Sequence, residues 1–400
     1  MHGCERAPPA TTSPDGGRPP VEVADVFRAH GETFRQRHAL TPDQLQVMRA
    51  IETCRTALRG GHADVCPGCG YARPSYNSCR NRHCPKCQFL KQAQWVDERM
   101  ARILPVRYFH VVFTVPAVLR PLGRRHPTEL YDLLFDAVSR TLLQLGRDPR
   151  RLGAQLGFTA VLHTWTRSLE YHPHLHCIVT AGGLSSDGER WRKAGTGRYL
   201  FPVKVMGELF RGKFVAGLRR LQREGRLDVR DDVFAHLVDG LFRQPWVVYA
   251  KRPFGGPEHV YRYLGRYTHR IAISNQRLIA FDDKGVRFHT RGGCTLTLAP
   301  EEFIRRFLMH VLPHGFAKIR HYGLLAPCHV GDRLERARQL LAPGVPKPAV
   351  AKQTWVDRLL ALTGVDVTRC PRCGCYLVTT ALDLWQSGHH ELAPPARDTS

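Results

Sequence analysis

The sequence lacks long hydrophobic runs. No window approaches the roughly 20 consecutive apolar residues of a membrane-spanning helix, and the N-terminus has no basic stretch followed by an apolar one. The chain also shows no internal repeat. We therefore expect a cytoplasmic protein with no membrane partner.

Acidic residues are also scarce. The 400 residues contain 35 Asp and Glu against 59 Lys and Arg, a formal net charge of +24 that is spread along the chain. A field of this sign favours a polyanion such as nucleic acid as the partner. The alternatives are a ribosomal or otherwise generic basic protein, or a protein whose high charge only keeps it soluble. Charge alone does not identify an enzyme.

Cysteine is plentiful, but its pattern does not suggest disulfides. The chain has 13 cysteines, an odd number, and most lie in short clusters mixed with Lys, Arg and His. In a reducing cytosol this pattern indicates metal binding.

The length predicts one large unit with at least one smaller module. Composition and periodicity divide the chain into five parts. We expect a disordered tail at 1–20, a helical lead-in and zinc-binding DNA-recognition module at 21–98, a large α+β domain at 99–340, a linker at 341–355 and a small cysteine-containing module at 356–400.

Hydrophobic periodicity predicts the main elements of this α+β fold. A helix is expected to start at Thr41-Pro42, and a hairpin is expected around Asp282-Asp-Lys-Gly285. The other predicted helices span 91–103, 128–147, 205–223 and 300–312, and strands are expected at 108–115 and within 161–180.

Two Cys-x-x-Cys knuckles predict a zinc site. Cys66-Pro-Gly-Cys69 and Cys84-Pro-Lys-Cys87 are separated by 14 residues, close to the spacing at which four thiolates surround one tetrahedral zinc. Four thiolates leave no position for water, so the zinc is expected to be structural. Arg80 and Arg82 lie between the knuckles and suit contacts with DNA phosphates.

Other potential metal ligands remain outside this set. They fall into two groups, one near the knuckles and one near the C-terminus. The group near the knuckles forms either a second metal site or solvated polar loops, and the group near the C-terminus forms a partial metal site. The first group is Cys54, His62, Cys79 and His83; the second is Cys370, Cys373 and Cys375, with His389 and His390 as the nearest candidates to complete it.

A histidine pair lies in Tyr171-His-Pro-His-Leu-His-Cys-Ile-Val-Thr180. Side chains two apart in a strand leave on the same face, so His174 and His176 point the same way. Two imidazoles fixed side by side can chelate one divalent ion. A histidine-rich edge strand would show the same pattern.

A tyrosine pair follows in the predicted helix at 256–269. Tyr263 and Tyr267 are four apart and emerge on one helix face, beside a stripe formed by Arg262, Arg266 and Arg270. Tyrosine hydroxyls next to guanidinium groups suit phosphate chemistry. An ordinary amphipathic helix with half-buried tyrosines is the alternative.

Together these motifs resemble the rolling-circle transposases of the insertion sequence ninety-one type, within the HUH (His-hydrophobic-His) endonucleases. The resemblance covers most of the chain. It includes 76–87 with the second knuckle, 110–116, His172-Pro-His-Leu-His176, 263–270 and 314–324.

The resemblance implies an HUH nuclease core over 99–340, an antiparallel sheet with helices mainly on one face and the histidine face open to DNA. It implies that His174 and His176 bind Mg²⁺ or Mn²⁺ and that Tyr263 and Tyr267 are nucleophiles. The implied enzyme nicks and rejoins single-stranded DNA at element ends through a 5′-phosphotyrosine intermediate, in the bacterial nucleoid. The bond energy is kept, so no ATP is needed, and a host helicase or replication protein would separate the strands.

Several alternatives remain open. The third metal ligand could be Glu170, His163, His172 or His269, and one tyrosine could react while the other positions DNA. The same chemistry would suit a plasmid replication initiator or a relaxase, and a non-catalytic zinc-dependent DNA-binding protein would share the zinc module. The P-loop-like segment 207–214 is not expected to bind ATP, because Phe214 replaces the Ser or Thr that holds Mg²⁺.

Overall fold

The computed structural model describes residues 5–6, 19, 21–195, 200–251, 265, 272–346 and 353–382. These residues form two compact units. The N-terminal unit takes the described residues within Met1–Gln94, His269–Val311 and Ala351–Ser400, and the sheet unit takes those within Trp95–Thr268 and Leu312–Val350. Helices and antiparallel strands occur in both, which confirms the α+β fold class. Among the described residues, no helix is both long and apolar enough to span a membrane.

The described residues contain ten α-helices. They are α1 Val23–Arg37, α2 Pro42–Thr53, α3 Gln88–Met100, α4 Arg120–Arg125, α5 Pro127–Arg147, α6 Val203–Arg223, α7 Asp231–Arg243, α8 Pro300–Leu308, α9 Arg333–Leu341 and α10 Trp355–Thr363.

Three antiparallel sheets accompany them. The strands are β1 Glu5–Arg6, β2 Gly61–Val65, β3 Ala72–Tyr76, β4 Tyr108–Thr114, β5 Gln155–Trp165, β6 Tyr171–Leu184, β7 Trp191–Lys193, β8 Val248–Lys251, β9 Leu278–Asp282, β10 Gly285–His289, β11 Cys294–Leu298, β12 Ile319–Gly323 and β13 Val378–Ala381.

The sheet unit is built on six strands in the order β12-β5-β6-β4-β8, with β7 paired to β6. Every pairing in this sheet is antiparallel, as the sequence analysis predicts. The long strand β6 lies at the centre, so its backbone groups are hydrogen-bonded on both sides. A residue on β6 is therefore held more firmly than one on an edge strand or a loop.

One face of this sheet is packed against α5 and α6. Phe113 of β4 lies opposite Leu175 of β6, and both are fully buried. The Phe113 ring meets Phe210 of α6 edge to face, with centroids 5.3 Å apart. Alternation along β6 therefore leaves His174 and His176 on the opposite face.

The histidine face is not as open as expected. Towards one end of the sheet it carries Tyr108, Val161 and Ile178, which are buried beneath Trp95 and Met100 of α3. These apolar side chains need cover from water, so α3 lies on this part of the face.

The N-terminal unit combines helices with two small sheets, ordered β1-β11-β10-β9 and β13-β2-β3. Thr41 caps α2 as predicted: its Oγ1 accepts from the Gln44 amide at 3.3 Å, and the Gln44 side chain accepts from the Thr41 amide at 3.0 Å. Phe27 of α1 packs on Phe307 of α8 with ring centroids 5.3 Å apart.

The units depart from the expected boundaries. Residues 269–311, expected within the domain at 99–340, belong to the N-terminal unit. The reason is the apolar side of the β9–β11 sheet and α8: Phe288 packs on Phe303, and Phe307 packs on Phe27 of α1. Within the tail expected to be disordered, Glu5 and Arg6 pair with β11, and most of 1–20 lies outside the described residues.

We expect Phe113→Ala to lower the free energy of unfolding by about 3–5 kcal/mol, because it removes a buried ring and leaves a cavity between β4 and α6. Val247→Ala is the matched control, since Val247 is 59% exposed next to the same sheet, and it should change stability by less than about 0.5 kcal/mol. Urea denaturation followed by tryptophan fluorescence measures both. Equal losses in the two variants would contradict this account of the core.

Candidate functional site

Three adjacent strands bring His110, His163, His174 and His176 together on one face of the six-stranded sheet. His163 of β5 lies directly opposite His174 of β6, and His110 of β4 lies opposite Ile178, diagonal to His176. Directly paired residues share a face. One ring nitrogen from each of His163, His174 and His176 lies within 4.8 Å of the others, a spacing at which the three could share one metal ion.

The backbone orients His174. Its Nδ1 donates a hydrogen bond to the carbonyl oxygen of His172 at 2.6 Å, which leaves Nε2 as the acceptor nitrogen of the ring. Burial lowers the pKa of His174 to about 4. The ring is therefore neutral at pH 7 and has a lone pair for a metal.

His110 is a site residue to which the sequence analysis gave no role. Its Nε2 lies 2.8 Å from Nδ1 of His176, and the two rings are stacked with centroids 5.0 Å apart. This contact restrains the His176 ring. The alternation of β4 puts His110 on one face of its strand, but only the pairing of β4 with β6 shows that the face is shared with His176.

The structure distinguishes among the four candidates for a third ligand. His163 joins the group. His172 instead has its Nδ1 3.4 Å from an Nη atom of Arg120, and Glu170 is exposed at the turn between β5 and β6. His269 lies outside the described residues.

The tyrosine pair and its arginine stripe follow β8 in the sequence. Tyr263, Tyr267, Arg262, Arg266 and Arg270 lie outside the described residues, as does the predicted helix at 256–269 apart from Gly265. The strand that precedes them is described. It is β8, which pairs with β4 and ends at Lys251, opposite His110 and 12 residues before Tyr263.

Eight cysteines of the N-terminal unit form two groups of four. Within each group the Sγ atoms lie within 4.8 Å of one another. The first group, called the base cluster, is Cys54, Cys79, Cys84 and Cys87; the second, called the tip cluster, is Cys66, Cys69, Cys370 and Cys373.

This grouping differs from the expected single site of Cys66, Cys69, Cys84 and Cys87. The β2–β3 hairpin is the reason, because Cys66 and Cys69 lie at its tip, whereas the second knuckle follows its base. A five-residue strand spans about 16 Å, far more than a Zn–S bond of about 2.3 Å. One ion therefore cannot bind both knuckles.

The leftover histidines do not belong to these clusters. His62 lies on β2 with its Nε2 3.7 Å from a carboxylate oxygen of Asp64, and the His83 amide donates to the Asn81 side chain at 2.8 Å. Cys54 and Cys79, the other leftover residues, complete the base cluster with the second knuckle. His389 and His390 lie outside the described residues.

The arginines of the zinc module have different surroundings. Arg73 is engaged by Asp64, with 2.9 Å between Nη2 and Oδ2. Arg80 follows Cys79 on the surface, with a left-handed φ of 53° that turns the chain towards the second knuckle. Arg82 is half-buried.

An antiparallel sheet with a His-x-His pair on its central strand and helices mainly on one face defines the HUH nuclease class. Two family models match the chain, one described as a putative transposase over residues 157–333 and one as a transposase zinc-binding domain over residues 26–115. The chain belongs to the transposase family of the insertion sequence ninety-one type.

Two relatives are similar over most of the chain. A putative transposase of Sinorhizobium fredii is 45% identical over 369 residues, covering 88% of this chain and 92% of that protein. The transposase for insertion sequence element IS801 of Pseudomonas savastanoi pv. phaseolicola is 27% identical over 352 residues, covering 84% and 83%. No solved structure matches the chain significantly.

Family membership establishes the coarse features of the site. Transposases act on DNA, so DNA is the partner, and the zinc-binding domain implies structural zinc. The cysteines fit this metal: in the base cluster, Sγ of Cys87 lies 3.4 Å from that of Cys54 and 3.5 Å from that of Cys79. Edges of this length are near those of a zinc–thiolate tetrahedron.

We expect the His174 ring to stay neutral down to about pH 5 in protein without added Mg²⁺ or Mn²⁺, with a midpoint near pH 4. Burial disfavours the charged ring, so the unfolded chain, with a histidine pKa of about 6.5, binds more protons between pH 6.5 and 4. The stability of the fold contributed by this residue therefore falls as the pH decreases through that window.

Histidine-ring NMR measures this titration, and His174→Gln assigns the resonance. The same ring in the urea-unfolded chain is the control and should titrate near 6.5. A folded-state midpoint at or above 6.5 would show that the ring is solvated.

Proposed function

We propose that this protein is a transposase that nicks and rejoins single-stranded DNA through a 5′-phosphotyrosine intermediate. The observation that carries the proposal is the group of His163, His174 and His176 on interior strands of an HUH sheet, in a chain of a transposase family. DNA ends at the mobile element and at its target are the substrates.

The three histidines are proposed to hold the catalytic Mg²⁺ or Mn²⁺. Bound there, the ion would polarise the scissile phosphate and orient it for in-line attack. Neutral nitrogen ligands without a carboxylate are a softer set than Mg²⁺ usually takes, which favours Mn²⁺ of the two. His110 acts as a positioning residue, because its contact with His176 restrains the ring of a metal ligand.

Tyr263 and Tyr267 are the proposed nucleophiles. The phenol oxygen bonds to phosphorus and loses its proton, the bond to the 3′ oxygen breaks, and that oxygen leaves with a proton as a free 3′-hydroxyl. The reverse attack by a 3′-hydroxyl releases the tyrosine and rejoins the strand, so no ATP is consumed. A phenol with a pKa of about 10 needs nearby positive charge to react at neutral pH, which Arg262, Arg266 and Arg270 suit.

The zinc module is proposed to recognise DNA. One structural zinc would be held by the base cluster, whose four cysteines all lie within the matched zinc-binding domain. Arg80 and Arg82 lie between ligands of this cluster and would contact phosphates. Arg80, which is exposed, suits this role better than Arg82.

The nucleophile is tested by incubating the protein with single-stranded DNA that spans an element end, plus Mn²⁺. We expect a protein–DNA adduct that resists denaturation, and we expect Tyr263→Phe/Tyr267→Phe to form none. If both tyrosines react, each single variant retains part of the adduct; if one reacts, a single substitution abolishes it. Denaturing gel electrophoresis with end-labelled DNA measures the yield.

Tyr249→Phe is the matched control for the tyrosine variants. Tyr249 is 52% exposed on β8 and pairs with Val112, which lies opposite His176, so it lies on the histidine face. It should give the wild-type yield. An adduct from the double variant would overturn the tyrosine assignment, and binding without any wild-type adduct would favour the non-catalytic DNA-binding protein.

The metal ligands are tested with the same assay. We expect His163→Ala, His174→Ala and His176→Ala each to lower the rate of adduct formation by about a thousandfold, equivalent to about 4 kcal/mol of lost transition-state stabilisation. Mn²⁺ binding, followed by electron paramagnetic resonance, should weaken in the same variants.

His236→Ala is the control for the histidine variants, because His236 is exposed on α7, away from the histidine group. It should retain the wild-type rate and Mn²⁺ affinity. Wild-type behaviour of His163→Ala with loss in the other two would remove His163 from the ligand set.

A further inference from the structure

The tip cluster joins two parts of the chain that are far apart in sequence. Cys69 and Cys370 are 301 positions apart, yet their Sγ atoms lie 3.6 Å from each other. The Sγ atoms of Cys66 and Cys373 are 3.3 Å apart. All four cysteines belong to the N-terminal unit.

The two halves of the tip cluster are built alike. Each is a Cys-Pro-x-Cys-Gly segment. The glycine amide donates to the carbonyl of the first cysteine, at 3.0 Å in Gly70 and 2.9 Å in Gly374. Both glycines have left-handed φ angles, 69° and 74°, which favour glycine.

The equivalence extends beyond the turn. The amide of each first cysteine donates to the carbonyl five residues on, from Cys66 to Tyr71 at 2.7 Å and from Cys370 to Cys375 at 2.8 Å. The Arg372 amide points at Sγ of Cys370 from 3.4 Å. Amides directed at sulfur are suited to a charged thiolate, the form that binds metal.

The sulfur separations fit a zinc site better than a disulfide. Four thiolates at about 2.3 Å from a tetrahedral zinc are about 3.8 Å apart, whereas a disulfide needs about 2.05 Å. The measured 3.3 Å and 3.6 Å are close to the first value. The four cysteines are not disulfide-bonded.

Apart from the tip cluster, the described residues of the C-terminal segment bury little apolar surface against the hairpin. The four residues of β13 are exposed, although they pair with β2 from Val65 to His62. Tyr376 is 63% exposed. The side-chain hydrogen bonds between this segment and the hairpin include Thr379 Oγ1 donating to Asp64 at 2.9 Å, Thr380 Oγ1 donating to the Ala63 carbonyl at 3.3 Å, and Arg73 donating to the Val367 carbonyl at 3.3 Å. Backbone pairing without apolar burial is weak, so a further interaction has to hold this segment.

We propose that the tip cluster binds a second structural zinc, with two ligands from the β2–β3 hairpin and two from the C-terminal module, and that this ion fastens the module to the hairpin. Cys370 and Cys373 lie outside both matched family regions. Four thiolates leave no position for water, so the ion has no catalytic role.

The test replaces zinc with Co²⁺ in the full-length protein and measures the thiolate-to-cobalt absorption in the near ultraviolet. This readout ignores any ion on the histidines, because only sulfur ligands give the band. We expect two thiolate-bound ions per chain in the wild type and one in Cys370→Ser/Cys373→Ser. A wild-type value of one overturns the proposal, and this value depends on no variant.

Cys375→Ser is the matched control, since Cys375 is exposed in the same module and lies outside the tip cluster. It should keep two ions. Hydrogen exchange supplies a second readout: amides of β2 paired with β13 should exchange faster in Cys370→Ser/Cys373→Ser, while those around the base cluster keep wild-type protection. A halved signal in Cys375→Ser, or unchanged exchange of β2 in the double variant, contradicts the proposal.

This experiment is independent of the proposed nuclease. A wild-type protein that binds two thiolate-bound ions but forms no DNA adduct would overturn the nuclease proposal alone. Adduct formation by a wild-type protein with one such ion would overturn only the second zinc site.

Discussion

The pairing of β5 with β6 fixes where every histidine of the site can point. His163 faces His174 only in the observed register, and a slip of one residue would turn one of the two rings to the opposite face. That opposite face is the buried core, where Leu175 and Phe113 are fully buried and Phe113 packs on Phe210 of α6. The hydrophobic pattern therefore enforces the register, and the register assembles the histidine group. The geometry of the histidine group therefore depends on core packing on the opposite face of the sheet, which involves none of the four histidines.

The N-terminal unit follows a different principle, since its parts come from three separate stretches of chain. The β1-β11-β10-β9 sheet buries Phe288 against Phe303, whereas β13 of the β13-β2-β3 sheet is exposed, so the cysteine clusters, with the zinc proposed for them, would supply stability that apolar packing does not give this second sheet. The β2–β3 hairpin separates these clusters, with one at its base and one at its tip. Its length decides which cysteines can share an ion.

Local patterns in the sequence predicted the elements that are set by local physics. The cap at Thr41, the strand at 108–115, the helix that became α5 and the shared face of His174 and His176 all depend on spacing within one element. Features that depend on pairing between distant elements were missed. His110 needed the pairing of β4 with β6, and the grouping of the cysteines needed the hairpin and the return of the C-terminal segment. The packing of Phe307 on Phe27, which groups residues 269–311 with the N-terminal helices, was likewise not predicted, because nothing local indicates it.

The division of the proposed active site between strands and a later segment has a chemical reason. Metal ligands must keep fixed distances from one another, which interior strands of a hydrogen-bonded sheet provide. A nucleophile has a different requirement, because it forms a covalent bond to a DNA phosphate and later gives that phosphate up to a 3′-hydroxyl. Placing Tyr263 and Tyr267 after the edge strand β8, rather than on β4, β5 or β6, separates these two requirements. Under the proposed mechanism, a substitution in the tyrosine segment would stop strand transfer without disturbing the histidines, so metal binding and adduct formation would be separable.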